Sequence, residues 1–483
     1  MPTTQTRSPT GQVRKPTLED RIVERLARRA WPMLVSALFV TFGLLYCFRW
    51  GPVVRHKPYL WITPGDIWTT YRASAAVAHG HLGSVYGPGF LAFPGFLALL
   101  APLGALANSF TTTAIEISHD GLPTTGLHEL LLNGTPYFIT DVARSGQKIY
   151  SIHRNLSVVL LPVMLLLSCV ALFALDALAE RLGVTRQRRA VLCAVQAVLL
   201  WPVTVISGHP EDAVALALAA YALIFAFDRR FTGTGWLFGA AVAVQPLVIV
   251  LFPLLLALGG RSRALGLVIR GALPAVVLTI PPLAADAHDT LHALVDQPTF
   301  PNVGNNHKTP WTFLAPKLGG TGQNVKVGGG PTRIIALGLA ALLGWWAVRW
   351  RERPEMIVWA AALALALRTY TESVMTPYYV WPALAVGVIV AARADLVRFV
   401  AGAAIAVLAT IVAQWQLEEF LWWSLQVVGV TALLFVAARP DPTPVTSEPA
   451  RPAVQERKGP SKTQAKKAQR KSQRSDRKRT ARR

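Results

Sequence analysis

The sequence predicts an all-α, polytopic helical membrane protein of about ten to twelve membrane segments, and three observations predict it. Apolar residues make up 52% of the chain and charged residues 15%, against about 25% charged in a soluble domain. Apolar runs of roughly 15–25 residues recur between short polar loops, as in a helical chain threading a bilayer. Arginines gather at alternate ends of those runs, the asymmetry that positive-inside sorting leaves.

The net charge of +22 is concentrated in the tails. Residues 451–483 carry 14 basic and 2 acidic side chains, and residues 1–30 carry 7 basic and 3 acidic. Rich in Pro, Ser, Thr, Gln and charge, 1–30 and 439–483 read as disordered tails flanking a membrane domain at 31–438. Both are expected on the cytoplasmic face, attracted to anionic lipid rather than to nucleic acid. Cys47, Cys169 and Cys193 lie in apolar runs with no metal or disulfide spacing. No cofactor and no metal site is expected. The first apolar run lacks a small-residue cleavage site and reads as a retained span.

In chain order, 32–48 is the first span, entered from the basic cytoplasmic flank. The outer loop 51–87 is too polar to span. Ile67, Tyr71, Ala75 and Ala78 recur in it at helical spacing, which predicts an amphipathic helix on the membrane surface. Residues 88–107 are apolar but broken by Pro94-Gly95 and Pro102. Parity makes them a segment that enters and returns, lining a cavity, because irregular backbone at membrane depth needs protein or water to satisfy it. A polar outer insert at 108–155 precedes spans at 156–178, 190–206 and 213–227. The run 236–258, interrupted at Gln245-Pro246 with arginines beyond both ends, reads as a second broken hairpin. Span 265–283 leads to the outer loop 284–331. Spans at 334–348, 357–366, 381–392, 397–413 and 421–437 complete the domain and return the C-terminus to the cytoplasm.

Polar side chains gather in the outer loops, whereas the cytoplasmic loops are short and merely basic. The outer set includes Asp66; His209, Glu211 and Asp212; Asn302, Asn305, Asn306, His307 and Lys308; and Arg368, Glu372, Tyr378 and Tyr379. A carboxylate at the bilayer surface can act as general base on a sugar hydroxyl. A neighbouring cation or histidine can stabilise a departing phosphate. Each residue also has a plainer reading. A loop aspartate is commonly a turn or cap residue, and Glu211-Asp212, directly before a span, suit a helix N-terminus. Arg368 is more unusual, since an ionisable group near the end of an apolar run normally faces a cavity or a partner.

The order of these motifs resembles the GT-C superfamily of membrane glycosyltransferases, most closely the polyprenyl-phosphate-mannose-dependent mannosyltransferases of glycosyltransferase family 87. The resemblance covers about 32–381. It rests on Asp66 followed by Tyr71-Arg72-Ala73 and Val85-Tyr86, then Phe93-Pro94-Gly95 and Ala101-Pro102-Leu103. Trp201-Pro202-Val203 leads to Gly208-His209-Pro210-Glu211-Asp212. Gly239 through Gln245-Pro246, Asn305-Asn306-His307-Lys308 and Thr376-Pro377-Tyr378-Tyr379-Val380-Trp381 complete the series. This chain departs from the family in having His209 for Gln and Glu211 for Asn, Gln245 for Lys, and Tyr378-Tyr379 for a His pair.

The resemblance implies an inverting transfer of mannose or arabinose from a polyprenyl-phosphate donor to a lipid or glycan acceptor of the cell envelope. The reaction would occur at the outer face of the plasma membrane. Asp66 would be the catalytic base. The stretch Asn305–Lys308 and Tyr378-Tyr379 would wall the donor site, with His209, Glu211, Asp212 and Arg368 as further substrate contacts. The alternative is a transporter or flippase using Arg368 and Glu372 along a substrate path.

Overall fold

A computed structural model describes residues 24, 26–49, 65–86, 92–106, 112–117, 139–144, 147–153, 156–301, 306–322, 325–415 and 417–438. Residues 1–23, 439–483, Asn302 and Asn305 lie outside the described residues, whereas 26–28 of the expected N-terminal tail are helical.

The apolar runs form helices as their composition dictates. They are α1 (Ala30–Arg49), α2 (Gly65–Ala78), α3 (Pro94–Gly104), α4 (Leu156–Arg181), α5 (Arg186–Trp201, continued as a π-helical turn Pro202–Ile206) and α6 (Pro210–Phe227). Next come α7 (Phe231–Val244), α8 (Phe252–Gly259), α9 (Arg261–Ala285), the short α10 (Ala287–Leu291), α11 (Thr332–Ala347) and α12 (Pro354–Thr371). The last three are α13 (Trp381–Arg393), α14 (Leu396–Ala413) and α15 (Glu419–Ala437). Among the described residues, eight helices are long and apolar enough to cross a membrane: α1, α4, α5 with its extension, α6, α9, α11, α14 and α15. Leucines and isoleucines left exposed on α9 and α11, such as Leu265, Ile280, Ile334 and Leu342, suit a lipid environment. The chain is thus an all-α, membrane-embedded protein.

The core lies between α4, α6, α12 and α13. Small residues permit the close approach, since Ala213, Ala215, Ala360, Ala361, Ala362, Ala385 and Ala391 are fully enclosed. At the end of the bundle away from α2, Asp176 of α4 is buried and paired with Arg189 (2.6 Å) and Arg29 (2.5 Å). Both guanidinium groups also reach Glu180, at 3.2 and 2.7 Å respectively. A carboxylate inside a spanning helix is retained here because it is fully paired.

The structure corrects two expectations. The 88–107 segment has no return leg among its described residues. It is one 11-residue helix, α3, with Pro94 at its first position, and about 16 Å of helix cannot cross a bilayer. Glycine lets it wedge between neighbours. A Cβ on Gly95 would sit 2.5 Å from the Ala243 backbone of α7, and one on Gly104 would sit 2.7 Å from the Ser74–Ala75 backbone of α2.

Helix α2 is also not simply laid on the bilayer. Ile67, Tyr71 and Ser74 are buried within the protein against α3, because α3 offers that face an apolar partner. The 108–155 insert contains β1 (Thr112–Ile117), β2 (Ile139–Arg144) and β3 (Gln147–His153). They form an antiparallel sheet of order β1-β3-β2, with Thr112 opposite His153 and Ile139 opposite Ile152.

The Gln245-Pro246 interruption forms the expected hairpin. Helix α7 ends at Val244, Gln245 is extended (φ −152°, ψ 105°), and a 3₁₀ turn Pro246–Leu251 leads into α8. The two ends away from the tip meet, since a Cβ on Gly259 would touch the Phe231 ring at 3.5 Å. Proline removes a backbone donor where the chain turns, so Gln245 is left at the tip.

Candidate functional site

Asp66 and His209 lie 143 residues apart in sequence and meet in space. Asp66 stands in the first turn of α2, and His209 immediately precedes α6. The turn before α6 is made by Gly208 at φ 77°, a left-handed conformation that glycine adopts without cost. It throws the imidazole back over the helix start. His209 Nε2 lies 2.8 Å from Asp66 Oδ2, and its Nδ1 lies 2.5 Å from Glu211 Oε1. The ring stacks on Tyr378, with centroids 4.2 Å apart.

An imidazole bridging two carboxylates must donate from both nitrogens, so it carries a positive charge. Burial alone would push the His209 pKa down. The charge of Glu211 and the hydrogen bonds to Asp66 and Glu211 outweigh burial and hold it well above the ordinary imidazole value. For Asp66, crowding by surrounding protein pushes the carboxyl up, but the hydrogen bond and charge of His209 bring it below its usual value. The Asp66 side chain stays 64% accessible while His209 is 15% accessible. The carboxylate therefore faces open space with a buried cation behind it.

That space is a cavity of about 290 Å³. Asp66, His209, Glu211, Gln245, Asn306, Arg333, Arg368, Tyr378 and Tyr379 all line it, and the ring contacts His209–Tyr378 and Tyr378–Tyr379 run from the imidazole toward Arg368. Arg368, in the last turn of α12, lies over the Tyr379 ring with its guanidinium carbon 3.1 Å from the centroid. Its Nε is 3.4 Å from Glu372 Oε2, and Arg333 Nε donates to Glu372 Oε1 at 3.1 Å. One buried carboxylate thus orients two guanidinium groups. Gln245 donates from Nε2 to Asp212 Oδ1 at 2.8 Å, tying the hairpin tip to the first turn of α6.

The loop after α10 is sewn to the end of α12. Thr309 Oγ1 donates to the Glu372 carbonyl (2.7 Å), and Trp311 Nε1 donates to the Tyr370 carbonyl (2.5 Å). A two-residue strand (His307–Lys308) pairs with another (Val374–Met375). These bonds fix the backbone that carries Glu372, Thr376 and Tyr378.

The candidate residues therefore separate into groups. Asp66, His209, Glu211, Arg368, Tyr378 and Tyr379 converge on the cavity. Asp212 stands behind it, holding Gln245, and neither it nor Glu211 is a solvated cap. His307 and Lys308 are not among the lining side chains. The His307 ring is buried against Trp422 with centroids 4.0 Å apart, burial pushes its pKa down, and Lys308 Nζ pairs with Glu419 at 3.5 Å. In a two-residue strand the neighbouring side chains face opposite ways, and here both find partners on α15. Asn305 lies outside the described residues.

Arg333 and Gln245, neither of them a candidate from sequence, complete the site together with Glu372, which sequence offered only for the transport alternative. Arg333 reads in sequence as an ordinary flank of a span. The signal for Glu372 is its i,i+4 spacing from Arg368, and for Gln245 it is the adjacent proline break. Asp66, His209 and Glu211 are strung by hydrogen bonds rather than arrayed around a centre. Among the described residues, no group of three or more His, Cys, Asp or Glu is placed to hold a metal ion. Comparison with known proteins finds neither a matching family model nor a similar curated sequence. The fold and site define a polytopic membrane protein with a cavity lined by both acidic and basic side chains.

Proposed function

We propose that this protein is an inverting membrane glycosyltransferase. In this reading it moves a sugar, mannose or arabinose, from a polyprenyl-phosphate donor to a hydroxyl of a lipid or glycan acceptor of the cell envelope. The observation that carries the reading is that the accessible Asp66 carboxylate and the Arg333 and Arg368 guanidinium groups line one cavity. Asp66, His209 and Glu211 together carry one net negative charge, placed at the accessible Asp66 carboxylate. Arg333, Arg368 and Glu372 together carry one net positive charge, which matches the single negative charge of a phosphodiester.

In the proposed reaction, the acceptor hydroxyl approaches Asp66 within hydrogen-bond reach, about 3 Å. Its oxygen bonds to the anomeric carbon as the bond from that carbon to the phosphate oxygen breaks. The bonding pair leaves with the polyprenyl phosphate, and the hydroxyl proton passes to Asp66. Displacement from the face opposite the phosphate inverts the anomeric centre. Arg333 and Arg368 bear the charge that grows on the leaving phosphate, held in place by Glu372 and Tyr379 rather than by solvent. His209 keeps Asp66 ionised and aimed. The tyrosines back the charged groups, Tyr378 stacking on His209 and Tyr379 lying under Arg368. The cavity is expected on the outer face of the plasma membrane with both termini cytoplasmic.

The test is transfer itself. Membranes carrying the protein are incubated with radiolabelled polyprenyl-phosphate mannose or arabinose, and label is followed in lipid extracts and insoluble glycan. Label appearing in an acceptor, with release of polyprenyl phosphate, is the expected result. Donor moved across the bilayer with its sugar intact is the result that would establish a flippase instead.

A further inference from the structure

The end of the bundle remote from the cavity carries a second polar recess, of about 360 Å³, between the starts of α7 and α9. Its lining includes Arg229, Arg263 and Arg270 with Thr232 and Ser262, and no carboxylate. Arg229 is neutralised by Glu352 at 2.7 Å. Arg263 lies over the Phe231 ring at 4.3 Å. Among the described residues, neither Arg263 nor Arg270 has a carboxylate partner.

Arg270 is the informative residue. It lies nine positions into α9, about 13 Å along the axis from Arg261, in a helix that fully buries only Leu267, Gly271 and Pro282. A guanidinium at that depth is retained when it reaches a partner or the interface. Its Nη1 donates to the Gly266 carbonyl one turn back, at 3.1 Å, so the side chain runs toward the helix start, as a snorkelling arginine does. Gly235 of α7 makes room for it, since a Cβ there would lie 2.8 Å from Arg270 Cβ. The result is two guanidinium groups without carboxylate partners among the described residues and two hydroxyls around one recess, beside a helix with exposed apolar side chains such as Leu265, Val268 and Ile269.

We infer that this recess binds the phosphate of an anionic phospholipid from the adjoining leaflet, held by Arg263 and Arg270 with Thr232 and Ser262 beside them. The chemistry is charge-assisted recognition of a phosphate by forked donors. It is independent of the proposed transfer reaction. A soluble phosphate could offer the same oxygens, but the position of Arg270, within the span of a lipid-exposed helix, favours a phosphate delivered by the bilayer.

The purified full-length protein, stripped of lipid in detergent, is titrated with phosphatidylglycerol, phosphatidylcholine or inorganic phosphate. Binding is read by native mass spectrometry and by melting temperature. Phosphatidylglycerol is expected to bind and to raise the melting temperature where phosphatidylcholine does not. The double variant Arg263→Gln, Arg270→Gln should lose about tenfold or more in apparent affinity, with Arg349→Gln, an exposed arginine at the same end, binding as the parent does. The variant's melting temperature without lipid shows whether it folds. Should it not fold, Arg263→Lys with Arg270→Lys keeps the charges but not the forks, and is expected to bind more weakly than the parent. Undiminished phosphatidylglycerol binding in whichever pair folds would overturn the inference, as would equal binding of phosphatidylcholine. Displacement of the lipid by inorganic phosphate at comparable concentration would overturn the lipid as occupant.

Discussion

Replacing Asp66 by asparagine removes the basic oxygen and little else. The amide oxygen of the introduced side chain can still accept from His209 across the same 2.8 Å gap, and the α2 residues that pack against α3 are untouched. Arg333 and Arg368 keep their geometry on Glu372, so the donor phosphate should bind as before. General-base assistance is worth about 10²–10⁴-fold, and turnover should fall by that factor with little change in donor affinity. The assay is transfer of labelled sugar from polyprenyl phosphate by purified protein, with donor affinity measured separately. Glu211→Gln and Asp212→Asn are the informative comparisons. Glu211 acts through His209, and Asp212 supports Gln245, so each should reduce turnover less than Asp66→Asn does. Near-normal turnover in Asp66→Asn, with loss in either of the others, would show that the wrong carboxylate has been assigned.

The arginines should behave differently. Arg333→Gln and Arg368→Gln each remove a charged donor, worth about 1.5–3 kcal/mol, and should weaken donor binding and turnover roughly ten- to a hundredfold. Arg368→Gln should also lower the melting temperature, since Glu372 is buried. The pH dependence follows from His209 and Asp66. The raised His209 pKa contributes stability that is full below the ordinary imidazole value and is lost as pH rises through the folded value. The lowered Asp66 pKa contributes stability present above the ordinary carboxylate value and lost as pH falls through the folded one. His209→Gln should therefore shift the acid limb of the activity profile to higher pH, and an unmoved limb would refute the pairing. Gly95→Val should destabilise by about 1–3 kcal/mol and reduce activity, because α3 would be forced off the backbone behind Gln245, as thermal unfolding would show. Single cysteines at 66, 211 and 379, in a background without Cys47, Cys169 and Cys193, should label with an impermeant reagent in intact cells, and one at 188 should not. The reverse pattern would invert the proposed orientation.

Much of the fold is legible in the sequence because membrane helices satisfy their own backbone. Length and apolarity suffice to place them, and the spans at 156–178, 213–227, 397–413 and 421–437 appear within a few residues of expectation. The Gln245-Pro246 hairpin is legible for the same reason, since proline breaks the helical ladder locally. The 88–107 segment is misread because its prolines carry the same local signal. Whether Pro94 opens a single helix or breaks a hairpin depends on how closely Gly95 and Gly104 approach other backbones, which no local pattern records.

The site divides along the same line. The sequence by itself determined which residue types are available at the ends of the spans: a carboxylate after the first, a His-Pro-Glu-Asp turn before another, an arginine at the end of a third. Only the tertiary structure decided their partners. Asp66 joins His209, Arg333 joins Arg368 through Glu372, and His307 and Lys308, adjacent in sequence to Asn306, turn away to Trp422 and Glu419. The physical reason is range. Hydrophobic periodicity and helix breaking act within a turn or two of chain, whereas an ion pair is fixed by whichever charge the packed helices bring within about 4 Å, from any distance along the sequence.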